Sequence, residues 1–185
     1  QKDPAFHFKM PVVVSLQIAF SLQARPIGNP QDENYRLYLV GDPILTFWNP
    51  LGVPVVIPQT AWMTFAFFQL PYTINVESGG ENRECPLIST LSGATVNRNS
   101  DTNFLGLRVG QLDPKLVFKP GEVIKVSQSG NLRVEGNSPN RALQAQVGFN
   151  YGGGMARPMR DKFGKTIDLK LSDRITYTME PNGMT

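Results

Sequence analysis

The stretch Ile44-Leu-Thr-Phe-Trp-Asn-Pro-Leu-Gly-Val-Pro-Val-Val-Ile-Pro58 decides the fold, because it joins two extended apolar runs through a turn. Its Thr-Phe-Trp segment favours a pleated backbone, its Asn-Pro pair favours a turn, and Gly52 allows conformations that other residues avoid. Pro54 and Pro58 cannot donate hydrogen bonds to a neighbouring strand, so the second run belongs at a sheet edge. The sequence therefore predicts a strand, a sharp corner and an edge strand.

On either side of this stretch, alternating apolar and polar residues predict further strands. The longest run covers residues 12–23 and predicts a strand with one buried face, made of Val12, Val14, Leu16, Ile18, Phe20 and Leu22. The Gly-Asp-Pro triplet at residues 41–43 is expected to break a strand before the 44–58 stretch begins. Shorter runs predict strands near residues 35–40, 63–70, 72–76, 104–109, 116–118, 123–128, 132–135, 143–149, 167–171 and 175–179.

Turn signals organise the second half of the chain. Lys119-Pro-Gly-Glu122 has proline and glycine at the central positions of a type II turn. Ser129-Gly-Asn131 predicts a hairpin between the runs on either side of it. Residues 77–103 are rich in Gly, Asn and Ser, and they predict a long loop or an insertion.

These signals together predict one all-β domain over residues 1–185. The expected architecture is an antiparallel β-sandwich of jelly-roll type with long loops and about ten to twelve strands. No segment shows a convincing helical period. Because the chain begins at Gln1 and not at Met, we expect it to be a processed form or a segment of a longer protein.

Composition limits the classes of partner. Hydrophobic residues make up 41% of the chain, charged residues only 18%, and the net charge is +3. Binding to nucleic acid usually needs a concentrated basic stripe, so no nucleic-acid partner is expected. Since no run of 18 or more apolar residues occurs in the sequence, we expect no transmembrane segment in this chain.

The residues that carry most catalysis and metal binding are scarce. His7 is the single histidine and Cys85 the single cysteine, so catalytic triads and multi-ligand metal sites lack their usual members. Cys85 is interpreted as a small apolar residue and not as a reactive thiol. We therefore predict no catalytic, metal or cofactor residues and no cofactor. The alternative is a glycosidase-like hydrolase that works without histidine through paired carboxylates, drawn from Asp113, Glu122, Glu135, Asp161, Asp168 and Asp173.

Two groups of residues are candidates for interaction. The first is a basic and partly apolar loop that contains Arg157, Arg160, Lys162 and Lys165 and suits an anionic glycan, a lipid surface or an acidic partner. The second is aromatic and includes Trp48 and Trp62, which suit a sugar-binding face, a core or an interface between subunits. Within the second group, Trp48 is predicted to pack against the core. The alternative for the basic group is a solvated surface loop without a binding role.

Two blocks of this sequence resemble a known family. Leu45-Thr-Phe-Trp-Asn-Pro-Leu-Gly-Val-Pro54 and Phe118-Lys-Pro-Gly-Glu-Val-Ile-Lys-Val-Ser127 are similar to recurring blocks of the Verru_Chthon cassette protein A family. These are large bacterial proteins of unknown function, encoded beside prepilin-like small proteins. The resemblance extends over residues 12–127, and the Leu-Gly pair at residues 51–52 departs from the family pattern. It implies an envelope or cell-surface protein in a pilus-like or secretion-related assembly, and it supplies no catalytic residues.

The expected function is therefore a non-catalytic structural or interaction module of a bacterial cell-surface or pilus-like assembly. Its expected partners are proteins, either pilin-like subunits or further copies of the same chain, and its expected location is the cell envelope or extracellular surface. The alternative is a carbohydrate-binding or adhesin module with a glycan partner, because jelly rolls commonly present ligand sites.

Overall fold

The structure, a computed structural model, describes residues 10–61, 63–66, 71–87, 90, 104–112, 116–134 and 141–181. Nearly all regular structure among these residues is strand, which confirms the all-β class. The fourteen strands of the described residues are β1 Val12–Pro26, β2 Asn34–Trp48, β3 Val55–Val56, β4 Met63–Ala66, β5 Tyr72–Ser78, β6 Glu81–Pro86, β7 Phe104–Arg108, β8 Val117–Phe118, β9 Val123–Gln128, β10 Arg133–Val134, β11 Arg141–Val147, β12 Met155–Pro158, β13 Asp168–Lys170 and β14 Ile175–Pro181. Two short 3-10 helices cover Pro30–Asp32 and Val109–Gln111.

The strands form three sheets. The largest has nine strands, with the order β10-β12-β2-β9-β11-β7-β4 and with β1 and β13 also paired to β2. A second sheet has the order β14-β5-β6, and β3 pairs with β8 in a third. Most neighbouring strands are antiparallel, whereas β10 with β12 and β11 with β7 are parallel. The jelly-roll arrangement stays a prediction, since these pairings do not establish it.

Side chains of all three sheets fill one core. Leu39, Leu45 and Val126 of the nine-stranded sheet lie in the same buried cluster as Ile74 and Val76 of the three-stranded sheet. Burial of apolar surface is the main favourable contribution to folding, so this cluster holds the sheets together. Strands β6 and β12 were not predicted from the sequence. The sequence of β12 does not alternate between apolar and polar residues, because its first three residues are all buried.

The 44–58 stretch folds as its sequence predicts. β2 ends at Trp48, the corner follows, and β3 pairs only with β8 among the described strands, which confirms the edge position of the second run. The role predicted for Gly52 is wrong, because Gly52 is not among the described glycines with positive φ. The type II turn is confirmed, since Gly121 has φ +74° and the Glu122 amide donates to the Lys119 carbonyl at 3.0 Å.

The predicted strand break at residues 41–43 is wrong. β2 continues through this triplet, and β1 pairs with it along one side without interruption, Ala19 opposite Asp42 and Ile18 opposite Pro43. The change occurs on the other side, where pairing with β12 stops at Gly41 and pairing with β9 begins at Ile44. On the side of this gap, no strand among the described residues pairs with Pro43, and proline is tolerated where no ladder hydrogen bond is required.

The long strand predicted at residues 12–23 is confirmed as β1, but the prediction of a single unbroken face is wrong. A bulge shifts the register between Val13 and Ser15, so that Val13 lies opposite Phe47 and Val12 opposite Trp48. Residues directly opposite each other in a sheet share a face. The bulge therefore places Val12 on the same face as Trp48, away from the core.

The predicted burial of that face is correct only for the second half of β1. Phe20 and its neighbours at positions 18 and 22 are half-buried against the core. Val12, Val14 and Leu16 are instead 46%, 50% and 51% exposed. The three successive valines at 12–14 cannot define an alternating phase, so the pattern indicates the register only from Ser15 onwards.

The loop predicted at residues 77–103 is wrong for its first ten residues. β5 continues to Ser78, and Gly79 and Gly80 form a two-residue turn with φ +57° and +80° that leads into β6. Positive φ at both central positions is the geometry of a type I′ hairpin turn, which two glycines adopt without strain. Residues 88, 89 and 91–103 lie outside the described residues.

The hairpin predicted around residues 129–131 is also wrong. β9 pairs with β2 and β11, and β10 pairs with β12 in parallel. Since both edges of β9 are already occupied, the turn after it leads away from the strand. The Asn150 side-chain amide holds this turn, donating to the carbonyls of Gln128 at 3.0 Å and Gly130 at 2.6 Å.

Candidate interaction surface

An exposed apolar row crosses three strands of the nine-stranded sheet on the face that points away from the core. Val12 of β1 lies opposite Trp48 of β2, and Trp48 lies opposite Val123 of β9. The three side chains are 46%, 40% and 58% exposed, respectively. A contiguous group of exposed apolar side chains marks an interaction site more often than scattered single ones do. We call these three residues the apolar row.

The prediction that Trp48 packs against the core is wrong. Its neighbour Phe47 is the core residue, only 3% exposed, and its ring meets the ring of Phe118 edge-on at 6.1 Å. Successive residues of a strand point to opposite faces, so burial of Phe47 directs Trp48 outwards. The tryptophan is thereby available for binding.

Replacing Trp48 by alanine is expected to lower the free energy of unfolding by less than about 1 kcal/mol, because the ring is largely outside the core. The matched change Phe47→Ala on the other face of the same strand should cost about 3–5 kcal/mol. Urea denaturation of both variants measures the two values. Equal losses would contradict the outward orientation of Trp48.

The edge of β1 is the longest open edge in the described part of the chain. β1 pairs with β2 from Val12 to Pro26 and with no other described strand. From Val12 to Ala24 it carries no charged side chain and no proline. Exposed sheet edges are ordinarily protected by charges, prolines or short length, and a long uncharged edge is a template for another strand.

The corner that supports the apolar row is fixed by Asn49, which is fully buried. Its side-chain oxygen accepts from the Leu51 amide at 3.0 Å, and its amide group donates to the carbonyls of Val53, Phe118 and Lys119 at 2.9–3.1 Å. Its backbone also bonds to the type II turn at residues 119–122. The two sequence blocks at 45–54 and 118–127 therefore meet at this asparagine.

The four basic residues predicted as a group are not brought together in one loop. Arg157 lies in β12 and is 3% exposed, so it belongs to the sheet. Arg160 donates to the Gly164 carbonyl at 2.8 Å, and Lys162 forms an ion pair with Glu84 of β6 at 3.1 Å. Lys162 and Lys165 are exposed, whereas Arg160 is half-buried. This arrangement favours a stabilised surface turn over a concentrated anion-binding patch.

The carboxylates of the hydrolase alternative each have a structural role where the structure describes them. Asp168 forms a bidentate pair with Arg36 at 2.7 and 2.9 Å, and the hydrogen bond from Arg36 holds the pKa of Asp168 below its ordinary value. Asp161 accepts from two backbone amides of its turn, and Asp173 and Glu122 accept from the amides of Lys170 and Lys119. Trp62, His7, Asp113 and Glu135 lie outside the described residues.

A polar cleft lies between the turn of the β5–β6 hairpin and β13. It has a volume of about 410 Å³ and is lined by Asn34, Ser78, Glu81, Arg83, Asp168 and Asp173, among others. The hydrogen bond from Arg83 lowers the pKa of Glu81, so this carboxylate is charged at neutral pH. The lining offers donors and acceptors of the kind that bind hydroxyl-rich ligands.

Cys85 is fully buried in β6, which agrees with its interpretation as a small apolar residue. Burial raises the pKa of its thiol to about 12, so the nucleophilic thiolate is scarce at neutral pH.

Among the described residues there is no group of three side chains suited to hold a metal ion. The same residues include no helix with the length and apolar character needed to span a membrane.

The chain was compared with known proteins in three ways. No protein-family model matches it, and no match was found among the curated proteins or the solved structures. The surface features described above therefore carry the functional argument.

Sequence reasoning missed two members of this surface. Alternation assigns Val12 to the buried face because the bulge has no sequence signal, and nothing distinguishes Val123 from an ordinary strand residue. Their register against Trp48 depends on β1 and β9 lying on opposite sides of β2, which involves residues far apart in the chain.

The sequence also gave no indication that Asp42 would be buried. This residue is 7% exposed, its Oδ1 atom has no hydrogen-bond partner among the described residues, and burial raises the pKa of the carboxyl group to about 6. It lies at the gap between β12 and β9, beside Ala19 of β1. The neutral acid is the form that this position favours.

The stability of the protein should decrease as the pH rises from about 4 to about 7, by about 3 kcal/mol from this group alone. The unfolded chain loses the Asp42 proton near pH 4, whereas the folded chain retains it until about pH 6. Ionisation therefore favours the unfolded state over this interval.

Subtracting the pH profile of Asp42→Asn from that of the wild type isolates this contribution, because Asp168 and the other carboxylates are present in both. A difference that stays constant from about pH 4 to about pH 7 would contradict the burial of an ionisable group at position 42.

Proposed function

We propose that this chain is a non-catalytic structural and interaction module of a bacterial cell-surface or pilus-like assembly. The proposal draws its class of assembly from the resemblance of residues 45–54 and 118–127 to the Verru_Chthon cassette protein A family. The same resemblance motivates a location in the cell envelope or at the extracellular surface, with pilin-like proteins or further copies of the chain as partners.

The observation that carries the proposal is the apolar row. A tryptophan that is 40% exposed, between two exposed valines, loses unfavourable contact with water when a partner covers it. Tryptophan is enriched among the residues that dominate binding energy at protein interfaces. Beside it, the corner is rigid because Asn49 makes four side-chain hydrogen bonds, so little ordering is required on binding.

Light scattering across a concentration series and a pull-down from an envelope fraction test this function. We expect association in one of these measurements, and a loss of about tenfold or more in affinity for Trp48→Ala. Tyr151→Ala is the matched control, since this aromatic side chain is 94% exposed and lies outside the row. A protein that stays monomeric and captures no envelope protein would contradict the proposal.

The alternative function is a carbohydrate-binding or adhesin module, and the polar cleft is the observation that favours it. Its charged and amide side chains suit hydroxyl groups, although no aromatic side chain of the described residues lines it to stack on a sugar ring. A glycan array decides between the two functions. Binding that is lost in Arg83→Ala and retained in Trp48→Ala would support the carbohydrate function, whereas an array without binding would exclude it.

A further inference from the structure

The open edge of β1 has a symmetry that indicates its partner. In a pair of antiparallel strands related by a twofold axis perpendicular to the sheet, residues directly opposite each other must share a face. This condition holds only when the twofold axis passes between the same residue of the two strands, so that this residue lies opposite itself. The bulge-free part of β1 covers residues 15–26, and centring on Phe20 pairs residues 15–25 with themselves.

This register matches side chains of the same kind. On the core face, Leu16 would lie opposite Ala24, Ile18 opposite Leu22, and Phe20 opposite Phe20 of the other copy. On the outer face, Gln17 would lie opposite Gln23 and Ala19 opposite Ser21. Arg25, the first charged residue of β1, would lie opposite Ser15, so that no two like charges face each other.

We propose that β1 pairs with β1 of a second copy of this chain, antiparallel and about a twofold axis at Phe20, and joins two nine-stranded sheets into one. The seam is roughly 35 Å long. Strand addition of this kind gains its affinity from main-chain hydrogen bonds, and its specificity from alternate side chains. The inference rests on the proposed function, because it names the surface and the partner through which the module assembles.

A second copy is favoured over other occupants by the lack of charge and by the exposed apolar residues. Within the seam, Leu16 is 51% exposed although it belongs to a strand of the largest sheet, and Val13 and Val14 next to the seam are 36% and 50% exposed. A neutral edge has no charge with which to select a charged partner, but it meets a copy of itself without repulsion. An isologous pair also closes after two copies and consumes the open edge.

Charged residues introduced on both sides of the seam test the proposal. Gln17 and Gln23 point to the outer face, and the register places each opposite the other across the axis. The double variants Gln17→Lys/Gln23→Lys and Gln17→Glu/Gln23→Glu should each be monomeric at concentrations where the wild type is dimeric. An equimolar mixture of the two should recover the dimer, which excludes misfolding as the cause of dissociation. Circular dichroism checks the fold of each variant.

The register itself is tested by disulfide crosslinking. The native cysteine, Cys85, is buried and therefore contributes little background to the crosslinking. Ala19→Cys mixed with Ser21→Cys should form an interchain disulfide under mild oxidation, because these positions lie opposite each other. Each variant alone should form several-fold less. Thr178→Cys is the matched control, since Thr178 is exposed on β14, an edge strand of the three-stranded sheet.

The outcomes separate this inference from the proposed function. A wild-type dimer that survives both charge variants overturns the β1 seam and leaves the interaction function standing. A wild-type monomer that captures an envelope protein likewise overturns the seam and supports the function. A monomer without any envelope partner overturns both, and loss of the dimer in each variant with recovery in the mixture supports the seam.

Discussion

Replacing Asn49 by alanine is expected to lower the free energy of unfolding by about 3–5 kcal/mol. The change removes the donor to three carbonyl groups, of which that of Phe118 is buried, and the acceptor for the Leu51 amide. Each buried polar group left without a partner costs about 1–3 kcal/mol. The corner and the type II turn at residues 119–122 should loosen together.

Urea denaturation of Asn49→Ala measures this loss, with Asn131→Ala as the matched control. Asn131 is exposed in the turn after β9, and its replacement should change stability by less than about 0.5 kcal/mol. Asn49→Asp is informative as well, because it retains the acceptor for the Leu51 amide but places an anion against three carbonyl groups. If Asn49→Asp were as stable as the wild type, the assignment of the side-chain amide as a donor would be wrong.

Replacing Gly110 by alanine is expected to destabilise the fold by about 3 kcal/mol or more. A Cβ atom at this position would lie 2.1 Å from the Pro58 carbonyl oxygen and 2.6 Å from that of Gln59. Both contacts are to backbone atoms, so no side-chain rotation can relieve them. The Gly110 amide also donates to the Ala61 carbonyl at 2.8 Å, which holds the two segments at this separation.

Gly52→Ala is the matched control for this prediction. Nothing lies within 4 Å of a Cβ atom at position 52, and its φ is not positive. Replacement should be neutral or should stabilise the protein by about 0.4–1 kcal/mol, because alanine has fewer conformations to lose on folding. Similar losses from Gly110→Ala and Gly52→Ala would contradict the close approach of the 58–61 turn to the 3-10 helix at Val109–Gln111.

Particular turns and strands show which parts of the fold can be predicted from the sequence. The corner at residues 49–54 depends on the local chemistry of Asn and Pro, and the type II turn at 119–122 on that of Pro and Gly. Both predictions were confirmed, except for the role of Gly52. The break at residues 41–43 and the hairpin at 129–131 also had local signals, but both predictions were wrong. In each case, the outcome depended on which strands already lay beside the segment in question.

The features of the candidate surface were likewise predicted only in part. Trp48 was among the residues predicted to take part in interaction, yet its outward orientation was missed because both faces of the 44–48 run are apolar or β-branched. The Gly-Asp-Pro triplet indicates a turn around Asp42, whereas the burial of this residue follows from the gap between β12 and β9. The basic residues were grouped by sequence proximity, whereas β12 places Arg157 within the sheet.

The sequence by itself determined the all-β class, most strand positions, the tight corner after Trp48 and the uncharged composition of residues 12–24. These properties follow from backbone preferences and from alternation over a few residues, which act locally. Only the tertiary structure decided that Trp48 faces outwards, that Val12 and Val123 flank it, and that β1 has one edge unpaired among the described strands. These properties depend on pairing between distant segments, where a one-residue bulge exchanges the buried and exposed faces.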